Sequence, residues 1–463
     1  MPASHITDKV CRAYGFGIRP IRLLFAVLFF PILFSPYLHG ATADYVSSAV
    51  CAGCHQTEYK KWQGSHHDWA MKPASAATVL GDFDNARYSH QGVTTTFSTI
   101  NDQYFVETQG ADGKHQVFKI AYTFGVEPLQ QYLIGFPDGR YQALTIAWDS
   151  RPQGQGGQRW YQLMPNDLGL PGESLHWTGA YYNWNSRCAE CHTTGFEKNY
   201  SMATDSYNSQ WAEGNVGCES CHGPGSTHSA DPSKPLPVDY SQQLQWVIAE
   251  GASIANPIGD PHEGSKTEIE SCAGCHSLRS KISANSINNA AGEAGDFLDH
   301  FVPSGLRQDI YHSDGQIQDE VYVYGSFMQS KMSQYGVRCS NCHDPHSQAL
   351  KAQGNDVCAS CHAPEAYNTA KHHFHKALDA KEGQCVSCHM PATVYMGVDA
   401  RRDHSMRVPD PILADSIGAP NACNSCHADQ TPAWAGSAIS SWLKQERSAT
   451  GERGKNKATE GKP

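Results

Sequence analysis

The stretch "CAGCHQTEYKKWQGSHHDWAM", Cys51 to Met71, places two cysteines and three histidines within 21 residues. Cys51, Cys54 and His55 form a Cys-x-x-Cys-His unit, the pattern of covalent c-type haem attachment. Two thiols add across the haem vinyl groups, and the adjoining histidine reaches the iron. His66 and His67 follow 11 and 12 residues beyond His55. Adjacent side chains on a helix point about 100° apart, so the two cannot easily aim at one iron. The expectation is one axial ligand, assigned to His67, and one polar neighbour.

The unit recurs along the chain. Its cysteine pairs are Cys51/Cys54, Cys188/Cys191, Cys218/Cys221, Cys272/Cys275, Cys339/Cys342, Cys358/Cys361, Cys385/Cys388 and Cys423/Cys426. The histidines that close them are His55, His192, His222, His276, His343, His362, His389 and His427. These eight units use every cysteine except Cys11. Disulfides are the ordinary fate of exported cysteines, but a bridge inside Cys-x-x-Cys constrains little and needs no histidine. Zinc uses paired Cys-x-x-Cys units closed tetrahedrally, which leaves the invariable histidine unexplained. Eight covalently bound haem c groups are the reading that uses all three residues of each unit. Large apolar macrocycles also account for a chain rich in glycine, 41 of 463 residues, and in uncharged polar residues.

A six-coordinate iron needs a second ligand. Outside the units, the chain after residue 43 carries 14 further histidines. His346 in "CHDPHS" and His228 in "CHGPGSTH" follow Pro-containing bends that turn the chain from its local haem toward a neighbour. With His404 in "RRDHSMRVP" and His176 in "HWTG", they rank first as distal ligands. His90, His375 of "HHFH" (with His372 and His373) and one of His66/His67 come next. His115, His262, His300 and His312 rank below. Methionine ligation would raise the potential, but histidine abundance argues against it.

The first 43 residues read as an export signal. Lys9, Arg12, Arg19 and Arg22 precede an apolar run from Leu23 to Leu38, and Ala41-Thr42-Ala43 fits a cleavage site. The run is short for a span of roughly 20 residues, so membrane association is expected only through an uncleaved signal. Removing four basic residues and Asp8 takes the net charge from −11 to −14. Such acidity excludes nucleic acid as an expected partner and suits a cationic redox protein.

The 136 residues between Cys51 and Cys188 contain an insertion of different character. Asn101-Asp102, Asp112-Gly113 and Pro137-Asp138-Gly139 separate runs of β-branched and aromatic residues, which are hairpin signals. The expected division is a signal over 1–43, a first haem segment over 44–88 and a β-rich insertion over 89–165. A seven-haem region then covers 166–430, with a terminal helix and disordered tail over 431–463.

"HWTGAYYNWNSRCAECH", "CESCHGPGSTH", "GVRCSNCHDPHS", "CVSCHMPATVYM", "RRDHSMRVP" and "PNACNSCH", with the opening stretch, resemble exported multihaem cytochromes of the cytochrome c-554-like family. The wider relatives are hydroxylamine oxidoreductase, pentahaem nitrite reductase and octahaem tetrathionate reductase. The resemblance implies packed haem pairs, mostly bis-histidine ligation and electron transfer in periplasmic respiration. Its implied partners are redox proteins such as a quinol dehydrogenase or other cytochromes. The expected architecture is a mainly α and irregular multihaem cytochrome c fold wrapped around stacked haems, with a small inserted antiparallel β element. Every unit here ends in histidine, so the lysine-ligated site of the nitrite reductases is not supported. No tetratricopeptide periodicity of 34 residues follows the last unit. An electron carrier is the favoured function. The alternatives are a reductase or oxidase of a small nitrogen or sulfur compound at one open haem, and a haem scaffold.

Overall fold

The computed structural model describes residues 43–166, 169–242, 244–282, 297–376 and 380–444. The expected signal before residue 43 and the tail beyond 444 lie outside the described residues.

The expectation of a mainly α fold is overturned. Helix accounts for 27% and strand for 22%, and a large, nearly closed antiparallel sheet dominates the N-terminal half. Its strands are β1 (Lys72–Pro73), β2 (Ala86–His90), β3 (Val93–Ile100), β4 (Gln103–Gln109) and β5 (His115–Phe124). They continue with β6 (Leu129–Gly135), β7 (Tyr141–Ala143), β8 (Ile146–Asp149) and β9 (Arg159–Gln162). The pairing order is β2-β3-β4-β5-β6-β8-β9, with β1 on β5 and β7 on β6. β2 returns beside β9, so the sheet curls almost into a barrel. Closure of this kind leaves little free edge.

Local chemistry sets the hairpins. Asn101 and Asp102 both take positive φ, 50° and 59°, between Ile100 and Gln103. That is the two-residue turn whose twist matches its strands. Alternating residues of these strands fill an aromatic core of Phe97, Tyr132, Trp148 and Trp160, with Phe83 and Trp177 from outside the sheet. Phe97 and Trp160 stack at 3.6 Å and 3°.

Helices elsewhere are mostly one turn long, such as Ser48–Cys51, Cys218–His222 and Cys385–His389. The exceptions include Ser265–His276, of 12 residues, and a helix over 432–444. One turn is enough to place two cysteines and a histidine, and no long apolar stripe is needed where helices do not pack mainly on one another. Among the described residues, no helix is long and apolar enough to cross a membrane.

Candidate functional site

Each unit folds as a helical turn in which the histidine lies four residues after the first cysteine, on the same face. The backbone N–H of His55 donates to Cys51 O at 2.9 Å, that of His362 to Cys358 O at 2.8 Å, and that of His427 to Cys423 O at 2.9 Å. None of the sixteen unit cysteines forms a disulfide. Residues from all eight units line one connected cavity of about 3590 Å³. Packed interiors hold few voids larger than a water molecule, and pockets for drug-sized ligands reach only about 1,000 Å³. A space of this size, walled by thiols and imidazoles in the attachment pattern, fits a row of covalent haems.

The histidines are arranged in facing pairs. Metal–imidazole bonds of about 2.0–2.1 Å put the ring centroids of two opposed axial imidazoles roughly 6.3 Å apart. His55 and His228 lie 6.3 Å apart, His67 and His276 6.2 Å, and His222 and His346 6.5 Å. His343 and His404 lie 6.5 Å apart, His372 and His389 6.1 Å, and His375 and His427 6.4 Å. Each pair joins one unit histidine to one histidine from outside the units.

Hydrogen bonds orient these rings. Nδ1 donates to a backbone carbonyl in His228 (Lys234 O, 2.6 Å), His343 (Gln348 O, 3.3 Å) and His389 (Arg407 O, 2.9 Å). The same holds for His404 (Arg402 O, 3.0 Å), His375 (His373 O, 2.6 Å) and His192 (Ala70 O, 2.9 Å). A carbonyl only accepts, so the proton sits on Nδ1 and the Nε2 lone pair is left for a metal. Burial, reinforced by neighbouring histidines, pushes His67 and His222 down to about 4. Burial also lowers His192 and His276. All four are therefore neutral, the form that binds metal.

The bends foreseen around proline have identifiable supports. In "CHDPHS" the Asp344 carboxylate accepts the N–H groups of His346 (3.1 Å) and Ser347 (3.0 Å) and the Lys61 ammonium (2.7 Å). His343 and His346 are thereby sent to different partners. His228 sits on the short helix Ser226–Ala230, beyond Gly223 at φ 78°.

Neighbouring units approach one another through their thiols. Cys51 lies close to Cys218, Cys191 to Cys275, Cys272 to Cys339 and Cys358 to Cys385. Cys221 lies near Cys272, Cys342 near Cys361, and Cys388 near Cys423. The units thus form a continuous row in the order first, third, fourth, fifth, sixth, seventh and eighth, with the second joined at the fourth.

The residues between the cysteines knit this row. Glu219, within the third unit, accepts from the backbone N–H groups of Val46 (2.9 Å), Ser47 (2.9 Å) and Gly225 (2.8 Å). Glu190, within the second, pairs with Arg279 (3.1 Å) and Lys281 (2.6 Å) just past the fourth. Ser340, within the fifth, donates its N–H and hydroxyl to Glu268, one helical turn before the fourth, at 2.7 and 2.8 Å.

Two unit histidines, His192 and His362, face no second histidine in this distance range among the described residues. Phe124 lies edge-on to His192, and Tyr367 to His362. Beside the second unit the cavity is polar. Arg401 is paired with Glu320 and, at 2.7 Å, with Asp399. Tyr322, held at φ 61°, is close to Cys188 and Cys191, and burial raises its phenol's pKa. Burial also pushes Cys188 up to about 12.

Of the distal candidates named from sequence, His67, His228, His346, His375 and His404 are brought to unit histidines. His90 and His176 are not. His90 lies on β2, its Nε2 3.0 Å from Pro165 O, because the insertion carries it away with the sheet. His176 is buried against Trp177, its Nδ1 2.7 Å from Thr178 Oγ1. His372 was missed: "HHFH" supplies facing residues to two units, and its spacing of three was the available signal.

A family model described as cytochrome c554 and c-prime matches residues 50–93 and 173–223. A doubled CXXCH motif matches residues 333–367. No curated protein matches the chain. Among solved structures, the outer cell wall cytochrome OcwA is similar over 90% of this chain and 90% of its own, at 17% identity and a TM-score of 0.59. The octaheme sulfite reductase MccA of Wolinella succinogenes aligns over 80% of this chain and 59% of its own, at 16% identity and a TM-score of 0.35. The attachment units, the cavity they line, the paired imidazoles and the two family-model matches together identify a multihaem c-type cytochrome, similar to the cytochrome c554 family over the matched residues.

Proposed function

We propose that the chain is an exported, periplasmic respiratory electron-transfer protein that carries eight haem c groups, one per unit. The pairs His55/His228, His276/His67, His222/His346, His343/His404, His389/His372 and His427/His375 would hold six of the irons. The observation that carries this reading is that all six separations fall between 6.1 and 6.5 Å. When bound, the haems supply one-electron redox chemistry. The chain's residues hold them in contact and fix the axial imidazoles. Mass spectrometry of the purified protein should find the polypeptide plus eight haems, and EPR should find six low-spin bis-histidine irons. A smaller mass, or fewer than six such irons, would sink the proposal.

A second reading is favoured by one observation: His192 faces no second histidine among the described residues and lies near Glu320, which with Arg401, Asp399 and Tyr322 forms a polar cluster. In this reading His192 would hold a haem with no opposing histidine, Arg401, Glu320, Asp399 and Tyr322 would bind and protonate a small nitrogen or sulfur compound beside it, and the haem would supply the redox chemistry. The electrons pass along the row of haems. Reduced protein that binds neither carbon monoxide nor nitrite would refute it.

A further inference from the structure

The last unit is gripped by a helix that carries none of its ligands. The 432–444 helix presents Trp434 and Trp442 along one stripe. Trp434 packs on His427 at 4.9 Å, and Trp442 meets His375 edge-on at 6.3 Å. The two facing imidazoles of the eighth unit are therefore each braced by a tryptophan of the same helix. Trp442 also stacks flat on Phe374, at 4.6 Å and 4°. Phe374 sits between two facing histidines, His372 and His375, and takes φ 57°. That left-handed conformation is uncommon for a bulky residue and persists only where its surroundings hold it. It lets one turn of chain send His372 to His389 and His375 to His427. The helix itself is closely seated, since a Cβ on Gly436 would lie 2.5 Å from Ile412 Cγ1.

We infer that Trp434 and Trp442 are positioning residues for the eighth haem, and that the C-terminal helix locks the His375–His427 axial pair. The inference rests on the ligand assignment proposed above. Without Trp442, Phe374 loses the ring that holds its backbone and His375 loses its brace. The sixth position of that iron then becomes exchangeable, while His372 keeps a separate contact with His389.

The test compares W434A/W442A, W442F and H375A in the full-length haem-loaded protein by EPR and by carbon monoxide binding after reduction. Haem content by mass confirms that each variant is assembled. In W434A/W442A the high-spin count should rise by one haem per chain, with one additional carbon monoxide bound. W442F, which keeps a flat ring, should behave as wild type. An unchanged spin count in W434A/W442A, with one haem converted in H375A, would overturn the clamp and leave the ligand assignment standing. An unchanged count in H375A would overturn both.

Discussion

Replacing His346 by alanine isolates one axial ligand from the loop that presents it. The turn around Asp344 is closed by the backbone N–H groups of residues 346 and 347 and by Lys61, none of which uses the imidazole. The alanine chain should therefore keep its path, and His222 alone should lose its partner at 6.5 Å. Among the described residues six of eight unit histidines have a facing histidine, so under the proposed assignment the unaltered protein should show two high-spin haems. The variant should show three. The rise should come from the third unit, whose low-spin EPR signal disappears, and reduced protein should bind three molecules of carbon monoxide instead of two. Haem mass should stay the same, because the thioether cysteines are untouched. A count still at two would mean that His346 ligates nothing. A rise of two or more would mean that the loop supports a second iron as well.

Three further outcomes follow from burial and charge. Phe97→Ala removes a fully buried ring stacked on Trp160 and should lower unfolding stability by about 3–5 kcal/mol, read by chemical denaturation, with the low-spin spectrum unchanged. Glu219→Ala strands the N–H groups of Val46, Ser47 and Gly225 and should cost roughly 3–5 kcal/mol. Limited proteolysis should detect it as earlier cleavage near residues 44–48. Burial raises the Asp149 carboxyl's pKa, but hydrogen bonds from Arg151 and the charges of Arg151 and Arg159 outweigh it and hold the carboxyl below its ordinary range. A folded-state pKa below the unfolded one gives stability that is present above the unfolded value and lost as pH falls through the folded value. Asp149→Asn should therefore flatten the acid limb of the stability curve and leave its slope near neutrality unchanged.

Attachment chemistry was legible because it is local: five residues specify each unit. A place opposite a unit histidine was legible where a bend had a mechanism, as at His346 and His228. It was not at His176 and His90, which lie between the first and second units yet pack with the β insertion. His372 escaped because a single turn facing two unit histidines requires Phe374 in a left-handed conformation, which side-chain identity does not announce. The hairpin at Asn101-Asp102 was readable from its turn residues. The near-closure of the sheet was not, because the adjacency of β2 and β9 is a long-range pairing. The mainly α expectation misjudged how little helix a unit needs once haems replace helix–helix contact.

Glu219, Glu190 and Ser340 occupy positions that thioether chemistry leaves free, and each binds a different neighbouring segment. These positions act as addresses. Haem attachment recognises the cysteines and histidine of any unit alike, so it cannot by itself determine which macrocycle ends beside which. Cofactor loading and wiring order are thus written in separate residues of the same five-residue word. Exchanging Ala189-Glu190 with Val386-Ser387 should leave the haem mass intact and slow electron exchange between the second and fourth haems.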